Sequence, residues 1–472
     1  MAALNPSTYV SRAVAPEIVH PDPTQDKFSL AFLVLAGYVF LLLSRSIEFI
    51  DNTGSLHLMI VGAVSASVLA IVSGGFFRAM TTKIGLWLTA ATAWMLIGTP
   101  FSVWVGGSVT GLANTWLKSY IVFFLVAGLV TSLPQCRKLV VSIALATGCI
   151  VLMTYVFGRD ASDAGRLTGG GGTFGNSNDL ATQLLVGLPF CVHVITDRNR
   201  SAPVRIFFAL VAAAALVVGM KTGSRGALLA VIVVAALIFW KASGGARIAV
   251  VAAVLAGLIS IPFVLTEDLK TRYLTLFGGN DLAQSLAEDQ RVTASSAMLS
   301  TEARRELMAH ALELSLHHPV FGVGFGQFQV ADATRAGTNG EDASWHEVHN
   351  AFLMILAEDG APALIAFLMA FGYAYFAVFR IYNRSHKNEN EQEIARMALC
   401  LLSSLTVWFV CSNFSPNAYS FQFPVLGGFI AAFDIIVTRQ RSARPARSAA
   451  APVIAGFSPV LKPRRIAPAW RP

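Results

Sequence analysis

Apolar runs long enough to cross a bilayer recur along this chain, separated by short polar breaks. A membrane span needs about 20 mostly apolar residues. Windows of that kind fall at 28–44, 56–74, 84–104, 119–133, 139–157, 180–196, 204–220, 226–240, 247–265, 361–379, 397–412 and 420–438. The pattern predicts an all-α polytopic membrane protein with about twelve transmembrane helices. Residues 349–358 read as an additional short apolar helix at the surface, ahead of the tenth span. One long polar stretch, 266–348, interrupts the series between spans nine and ten. Three units follow from this: a segment 1–27, a transmembrane domain 28–438 that includes the loop 266–348, and a basic tail 439–472 expected to be disordered.

Composition agrees with the pattern. The 472 residues are 55% hydrophobic and 13% charged, with a mean hydropathy of +0.61, whereas soluble domains are about 25% charged. No cleavable signal is visible, because the first 27 residues are polar and contain Pro16, Pro21 and Pro23, so the first span is expected to act as an uncleaved insertion signal. With a cytoplasmic start, the short inner loops carry thirteen Lys and Arg, and the short outer loops carry six, Arg45, Lys118, Arg159, Arg166, Lys221 and Arg225. That asymmetry puts both termini in the cytoplasm and the 266–348 loop outside. The net charge of +8 needs no nucleic acid, since the tail alone supplies eight cations that can rest on anionic lipid heads. None of the five cysteines lies in the long loop, so no disulfide is expected to hold it.

The apolar windows contain essentially no carboxylate. Asp434 sits near an inner end, and Glu48 and Asp51 sit in an outer loop. A carrier that couples to ions needs acids at mid-membrane, so a transporter of the flippase type is disfavoured, and a channel lacks a ring of charge. Polar interest concentrates on the outer face, in four segments.

The first runs from Gly165 and Arg166 through four consecutive glycines to Asn176, Ser177, Asn178 and Asp179. Glycines let backbone pass close to a ligand, and Asn176 and Asn178 can hydrogen-bond a sugar; a flexible turn with a helix cap fits equally. The second, Lys221-Thr-Gly-Ser-Arg225-Gly226, is a very tight turn. Arg225 presents a planar fork suited to phosphate oxygens, or it anchors a span at the lipid heads. The third holds Arg304 near the start of an amphipathic helix, with apolar positions 307, 308, 311, 312, 314 and 316, that ends at Pro319. Arg304 can reach a phosphate or pair with Glu302 or Glu306. The Gly322-x-Gly324-x-Gly326 run that follows lacks the strand-to-helix frame of a dinucleotide site and reads as a tight packed turn. The fourth, Trp345-His346-Glu347-Val348-His349-Asn350, does not have metalloprotease spacing. Zinc on His346, His349 and an acid is conceivable, although no third ligand is indicated. A general base at His349 suits the near-neutral titration of imidazole.

Taken together, these residues resemble the O-antigen ligase and polymerase superfamily of bacterial envelope glycan assembly. The ligase signature is His, then Asn, Ser or Gln, nine residues, Gly, two residues, then Gly, Thr or Tyr. His349, Asn350 and Gly360 match it, while Ala363 departs from the last position. Ser224-Arg225-Gly226 resembles the family's Arg-Gly turn. Arg304 and the stretch from Pro319 to Gly326 resemble its loop pattern. Gly175-Asn176-Ser177-Asn178 resembles its Gly-Asn-Pro-Asn box, with Ser for Pro. The likeness covers roughly 160–440.

The resemblance implies a fold like that of the GT-C membrane glycosyltransferases and an inverting, metal-independent transfer that needs no cofactor. The donor would be a glycan on undecaprenyl pyrophosphate. The acceptor would be a sugar hydroxyl, on lipid A core for a ligase or on a lipid-linked repeat for a polymerase. Transfer would occur at the periplasmic face of the inner membrane, among membrane lipids and partners in polysaccharide assembly. In that scheme His349 handles the acceptor proton, Arg225 and Arg304 hold the pyrophosphate, Lys221 and Arg166 assist, and Asn176, Asn178 and Asn350 meet sugar. A protein O-oligosaccharyltransferase, a lipid-linked-sugar transporter and a scaffold of an assembly complex remain as alternatives.

Overall fold

The computed structural model describes residues 29–50, 57–161, 165–241, 244–274, 288–335 and 347–449. Its main helices are α1 (Leu30–Ser44), α2 (Leu58–Val72), α3 (Lys83–Gly98), α4 (Leu117–Leu129), α5 (Leu133–Phe157), α6 (Ser177–Thr196), α7 (Ala202–Lys221), α8 (Arg225–Lys241), α9 (Gly244–Val264), α10 (Glu288–His317), α11 (Phe328–Arg335), α12 (Ala351–Ser385), α13 (Gln392–Ser412) and α14 (Gln422–Ala449). A small antiparallel ribbon, β1 (Arg159–Ala161) with β2 (Arg166–Thr168), joins α5 to α6. The all-α expectation otherwise holds.

Each apolar window falls on one of these helices. Among the described residues, eight helices are long and apolar enough to cross a membrane. α1 and α2, of 15 residues each, and α8, of 17, are shorter. Helix starts follow local chemistry: the Thr82 hydroxyl oxygen accepts from the Gly85 amide at 3.0 Å, and prolines occupy the first turns of α5 and α7.

α6, α13 and α14 form the inside of the bundle, with 72%, 72% and 78% of their apolar windows buried against 22% for α7. α6 packs on α5, α7 and α13, α12 packs on α3, and α14 packs on α4. Trp408 and Phe423 stack at 5.1 Å between ring centres in this interior. The outer helices expose large apolar side chains instead, Ile248 at 72% and Phe263 at 87%, as lipid contact allows.

α12 is the element that departs most from expectation. Residues 351–359 form a short helix ahead of the spanning part, as the sequence suggests, but they are covered rather than lying on the surface: Ala351, Met354, Ile355 and Ala357 are all buried. Gly360, at φ 81° and ψ 175°, breaks the helix there, and Pro362 has no amide to offer the Glu358 carbonyl. The backbone groups freed at this break find partners in the 319–328 loop. Val323 N donates to Ala357 O at 2.9 Å, Gly324 N to Glu358 O at 2.8 Å, and Ala361 N to Pro319 O at 2.9 Å. A Cβ on Gly360 would collide with the Val320 carbonyl, and one on Gly322 with the Glu358 carbonyl. The Gly-x-Gly-x-Gly run is thus the packed turn its sequence suggests, with positive φ at 322, 324 and 326. The same loop covers the acids Glu358 and Asp359, which are 2% and 3% exposed. The reading of essentially acid-free spans is therefore corrected at this point of α12.

The basic tail is corrected too. α14 continues to Ala449, so 439–449 is helical, and Arg441 pairs with the buried Glu391 at 2.7 Å. Residues 1–27 and 450–472 lie outside the described residues. All five cysteines are free.

Gly360→Ala should lower the thermal stability of the detergent-purified protein by about 1–3 kcal/mol from backbone strain alone. Gly372→Ala, in a helix and with nothing near its added Cβ, should leave stability unchanged or slightly raised.

Candidate functional site

The site begins at the end of α7, whose last carbonyls have no partner within the helix. Side chains from elsewhere in the chain supply donors. Tyr273 Oη donates to Met220 O at 2.8 Å, Arg166 Nε to Thr222 O at 2.9 Å, and Arg272 Nε to Gly223 O at 3.1 Å. Cations suit this end of a helix, where the macrodipole is negative. Arg166 also donates through Nη2 to Asn178 Oδ1 at 3.1 Å. Arg225 opens α8 on the other side of the turn, and its Nη2 donates to Thr301 Oγ1 on α10 at 2.6 Å. Arg304 stands three residues further along α10 and is half-buried.

Arg166, Arg225, Arg272 and Arg304 consequently act on one another. Burial, then the charges of Arg272 and Arg304, pull the Arg166 guanidinium down to about 9. Burial, then Arg225 and Arg304, bring Arg272 to about 10. Burial, then Arg225, lower Arg304. Burial pushes the Tyr273 hydroxyl up to about 12, against the pull of Arg166 and Arg272. All four guanidiniums remain charged at neutral pH, in a partly desolvated group that favours an anion. Among the described residues no carboxylate forms an ion pair with Arg166 or Arg304.

The His349 segment joins this group through the 413–415 loop, which follows α13. Asn350 Nδ2 donates to Asn413 O at 3.5 Å. A Cβ on Gly226, next to Arg225, would meet the Phe414 side chain at 2.8 Å. Ser415 Oγ donates to Asp179 Oδ1 at 3.0 Å. Three consecutive residues reach only about 7 Å between their outer Cα atoms, so the His349 loop, the Arg225 turn and the start of α6 are gathered together. The His349 Nδ1 lies 2.9 Å from the Glu347 carbonyl. A carbonyl only accepts, so Nδ1 carries the hydrogen, and Nε2 is the basic nitrogen of the neutral ring. Glu347 is exposed as a residue, yet packing around its carboxyl, then the charge of Asp179, hold it above the ordinary carboxylate range.

The remaining residues singled out in the sequence take plainer places. Asn350 caps α12, its Oδ1 accepting from Phe352 N and Leu353 N, both at 3.0 Å. Asn176 caps α6, accepting from Asn178 N at 2.8 Å. Asn178 is buried and orients Arg166. Lys221 is exposed at the end of α7 and does not belong to the arginine group. His346 lies outside the described residues, and among those described no three His, Cys, Asp or Glu gather where they could hold a metal ion.

Sequence reasoning missed Arg272, Tyr273 and residues 413–415. Leu269 and Arg272, three apart and both buried, mark a helical turn inside what reads as polar loop. The 413–415 segment reads as a simple connection, and only its contacts distinguish it.

The fold and site define a polytopic helical membrane protein with a group of arginines linked through residues 413–415 to a histidine-bearing loop. Residues 208–368 match the family model Wzy_C, described as O-Antigen ligase, a stretch that holds Arg225, Arg272, Arg304 and His349. Over 276 residues, or 58% of this chain, it is 22% identical to the teichuronic acid biosynthesis protein TuaE of Bacillus subtilis (strain 168), and the aligned part spans 53% of that relative. The two matches support the O-antigen ligase and polymerase superfamily, the resemblance carried by the motifs.

Inorganic pyrophosphate should raise the thermal midpoint of the purified protein, by about 2.7 kcal/mol of stability at a hundredfold excess over its dissociation constant. Arg304→Ala should abolish that shift with little change in the ligand-free midpoint. Arg166→Ala, which strands the Thr222 carbonyl and Asn178, should instead lower the midpoint without ligand. A pyrophosphate shift unaltered in Arg304→Ala would contradict this assignment.

Proposed function

We propose that this protein transfers a glycan from undecaprenyl pyrophosphate to an acceptor sugar hydroxyl at the periplasmic face of the inner membrane, as a polymerase or ligase of envelope polysaccharide. The observation that carries this reading is the group of four arginines, gathered with His349 by residues 413–415. The chemistry needs such a group. The acceptor oxygen attacks C1 of the donor sugar, and His349 Nε2 takes its proton. The bond from C1 to the phosphate oxygen breaks from the opposite face, so the anomeric centre inverts. Negative charge grows on the leaving pyrophosphate, and fixed cations stabilise it more in the transition state than in the ground state.

Arg225 and Arg304 are the pyrophosphate clamps in this scheme. Arg272 joins them, while Arg166 and Asn178 hold the turn in shape. Asn350 fixes the His349 loop as a helix cap, and Asn176 frames the start of α6. Lys221 contributes long-range attraction from the rim. The lipid tail would run along apolar helix faces, where burial is favourable by about 0.8 kcal/mol per CH₂ relative to water. A biosynthetic role, as in the name of the Bacillus relative, is consistent with this.

Transfer by the purified protein in nanodiscs, offered an undecaprenyl-pyrophosphate-linked repeat with and without lipid A core in EDTA, tests the reading. His349→Ala should cost about 10²–10⁴ in rate and Arg225→Ala about 10²–10³. Lipid-linked chains that lengthen without core would identify a polymerase, and product only with core a ligase. Full activity in both variants would reject the site.

A further inference from the structure

A second polar cluster lies at the break in α12. Glu358, Asp359 and Tyr419 are 2%, 3% and 5% exposed. The Tyr419 hydroxyl is 2.8 Å from Glu358 Oε2 and 2.6 Å from Asp359 Oδ2. Glu358 also accepts from Gly326 N at Oε2, 3.0 Å away, and from Phe328 N at Oε1, 3.2 Å away. Its side chain thus grips the same loop that its backbone carbonyl holds through Gly324.

Counting hydrogens decides the state of this cluster. A tyrosine carries one hydroxyl hydrogen, and an ionised carboxylate only accepts. One hydrogen cannot serve both short contacts, so a carboxyl must supply a second. Both Glu358 oxygens already receive backbone N–H groups, which favour its ionised form. The extra hydrogen therefore belongs to Asp359: its Oδ2–H donates to the Tyr419 oxygen, whose own hydrogen goes to Glu358 Oε2. Burial pushes the Tyr419 hydroxyl far above its ordinary range, so the tyrosine keeps its hydrogen.

Among the described residues the surroundings offer no countercharge. The rings of Trp116 and Phe325 pack on Tyr419. The polar groups that line the packed loop include Trp94, Ser102, Ser108 and Gln327, and His318 at its start is exposed. The three members of the cluster are the titratable groups that act on one another. Among the described residues neither carboxyl pairs with a Lys, Arg or His.

We propose that Glu358, Asp359 and Tyr419 form a proton-dependent latch. Its shared hydrogen fastens the 319–328 loop to the break in α12 and thereby positions the short segment 351–359, which His349 precedes by two residues. Asp359 and Tyr419 are positioning residues and touch no substrate. Loss of the hydrogen sets two buried carboxylates against each other across one hydroxyl, and the loop is released.

Two measurements on the full-length protein in nanodiscs need no glycan. Infrared spectroscopy should show the carbonyl band of a buried protonated carboxyl at neutral pH, lost at alkaline pH and absent in Asp359→Asn. The thermal midpoint of the wild type should fall as pH rises through that titration. Asp359→Asn, whose amide keeps a donor toward Tyr419 and cannot ionise, should have a flat profile. A third measurement rests on the proposed transfer activity: one pH unit past the titration the wild type should lose about tenfold, as the protonated fraction does, while Asp359→Asn loses less than twofold. Should Asp359→Asn fail to fold, the wild-type infrared titration still decides. A wild type without the protonated-carboxyl band, or thermal profiles that run parallel in wild type and Asp359→Asn, would overturn the latch. Failure of transfer from every donor, with both spectroscopic results as expected, would instead count against the proposed function alone.

Discussion

The interrupted helix α12 is the constraint on which the loop-bearing face depends. A helix broken by Gly360, with Pro362 two residues on, leaves backbone groups that must find partners in a desolvated setting. The 319–328 loop supplies them from one side, and the same loop is fixed on its other edge, where Val103 N donates to Val323 O at 3.0 Å and Ser108 Oγ to Phe325 O at 3.0 Å. Three glycines with positive φ make that double edge sterically feasible. A polar loop thereby becomes part of the framework, and α10, which carries Arg304, ends where this loop begins.

Electrostatics sets the second feature. Four guanidiniums share a partly buried space, two of them held by the carbonyls at the end of α7. Carbonyls orient a cation without cancelling its charge, so the group keeps its attraction for an anion. Paired with an acid, Arg166 would instead join a structural network of little use to a ligand. The contrast with Arg380, which pairs with Asp434 at 3.0 Å, and Arg441, which pairs with Glu391, makes the point within one chain.

Much of this architecture was legible in the sequence, because burial in lipid writes long apolar windows that need no tertiary knowledge. Arg225 and Arg304 were legible through their type and loop placement. Asn350 and Asn176 were legible as polar residues at helix starts, though capping explains them as well as any ligand does. What the sequence could not show was pairing at a distance. Arg272 looks like any loop arginine until its contact with Gly223 is seen. The acids at 358 and 359 look like the polar edge of a surface helix until the loop closes over them. Residues 413–415 look like a turn until three separate segments are found upon them.

Cryo-electron microscopy of the full-length protein in nanodiscs, with an undecaprenyl-pyrophosphate-linked sugar whose bridging oxygen is replaced by carbon, would show where the pyrophosphate sits. Density for the two phosphorus centres is expected among Arg225, Arg272 and Arg304, with the sugar C1 facing His349. Phosphate density elsewhere in the molecule, with the arginine group empty, would contradict it.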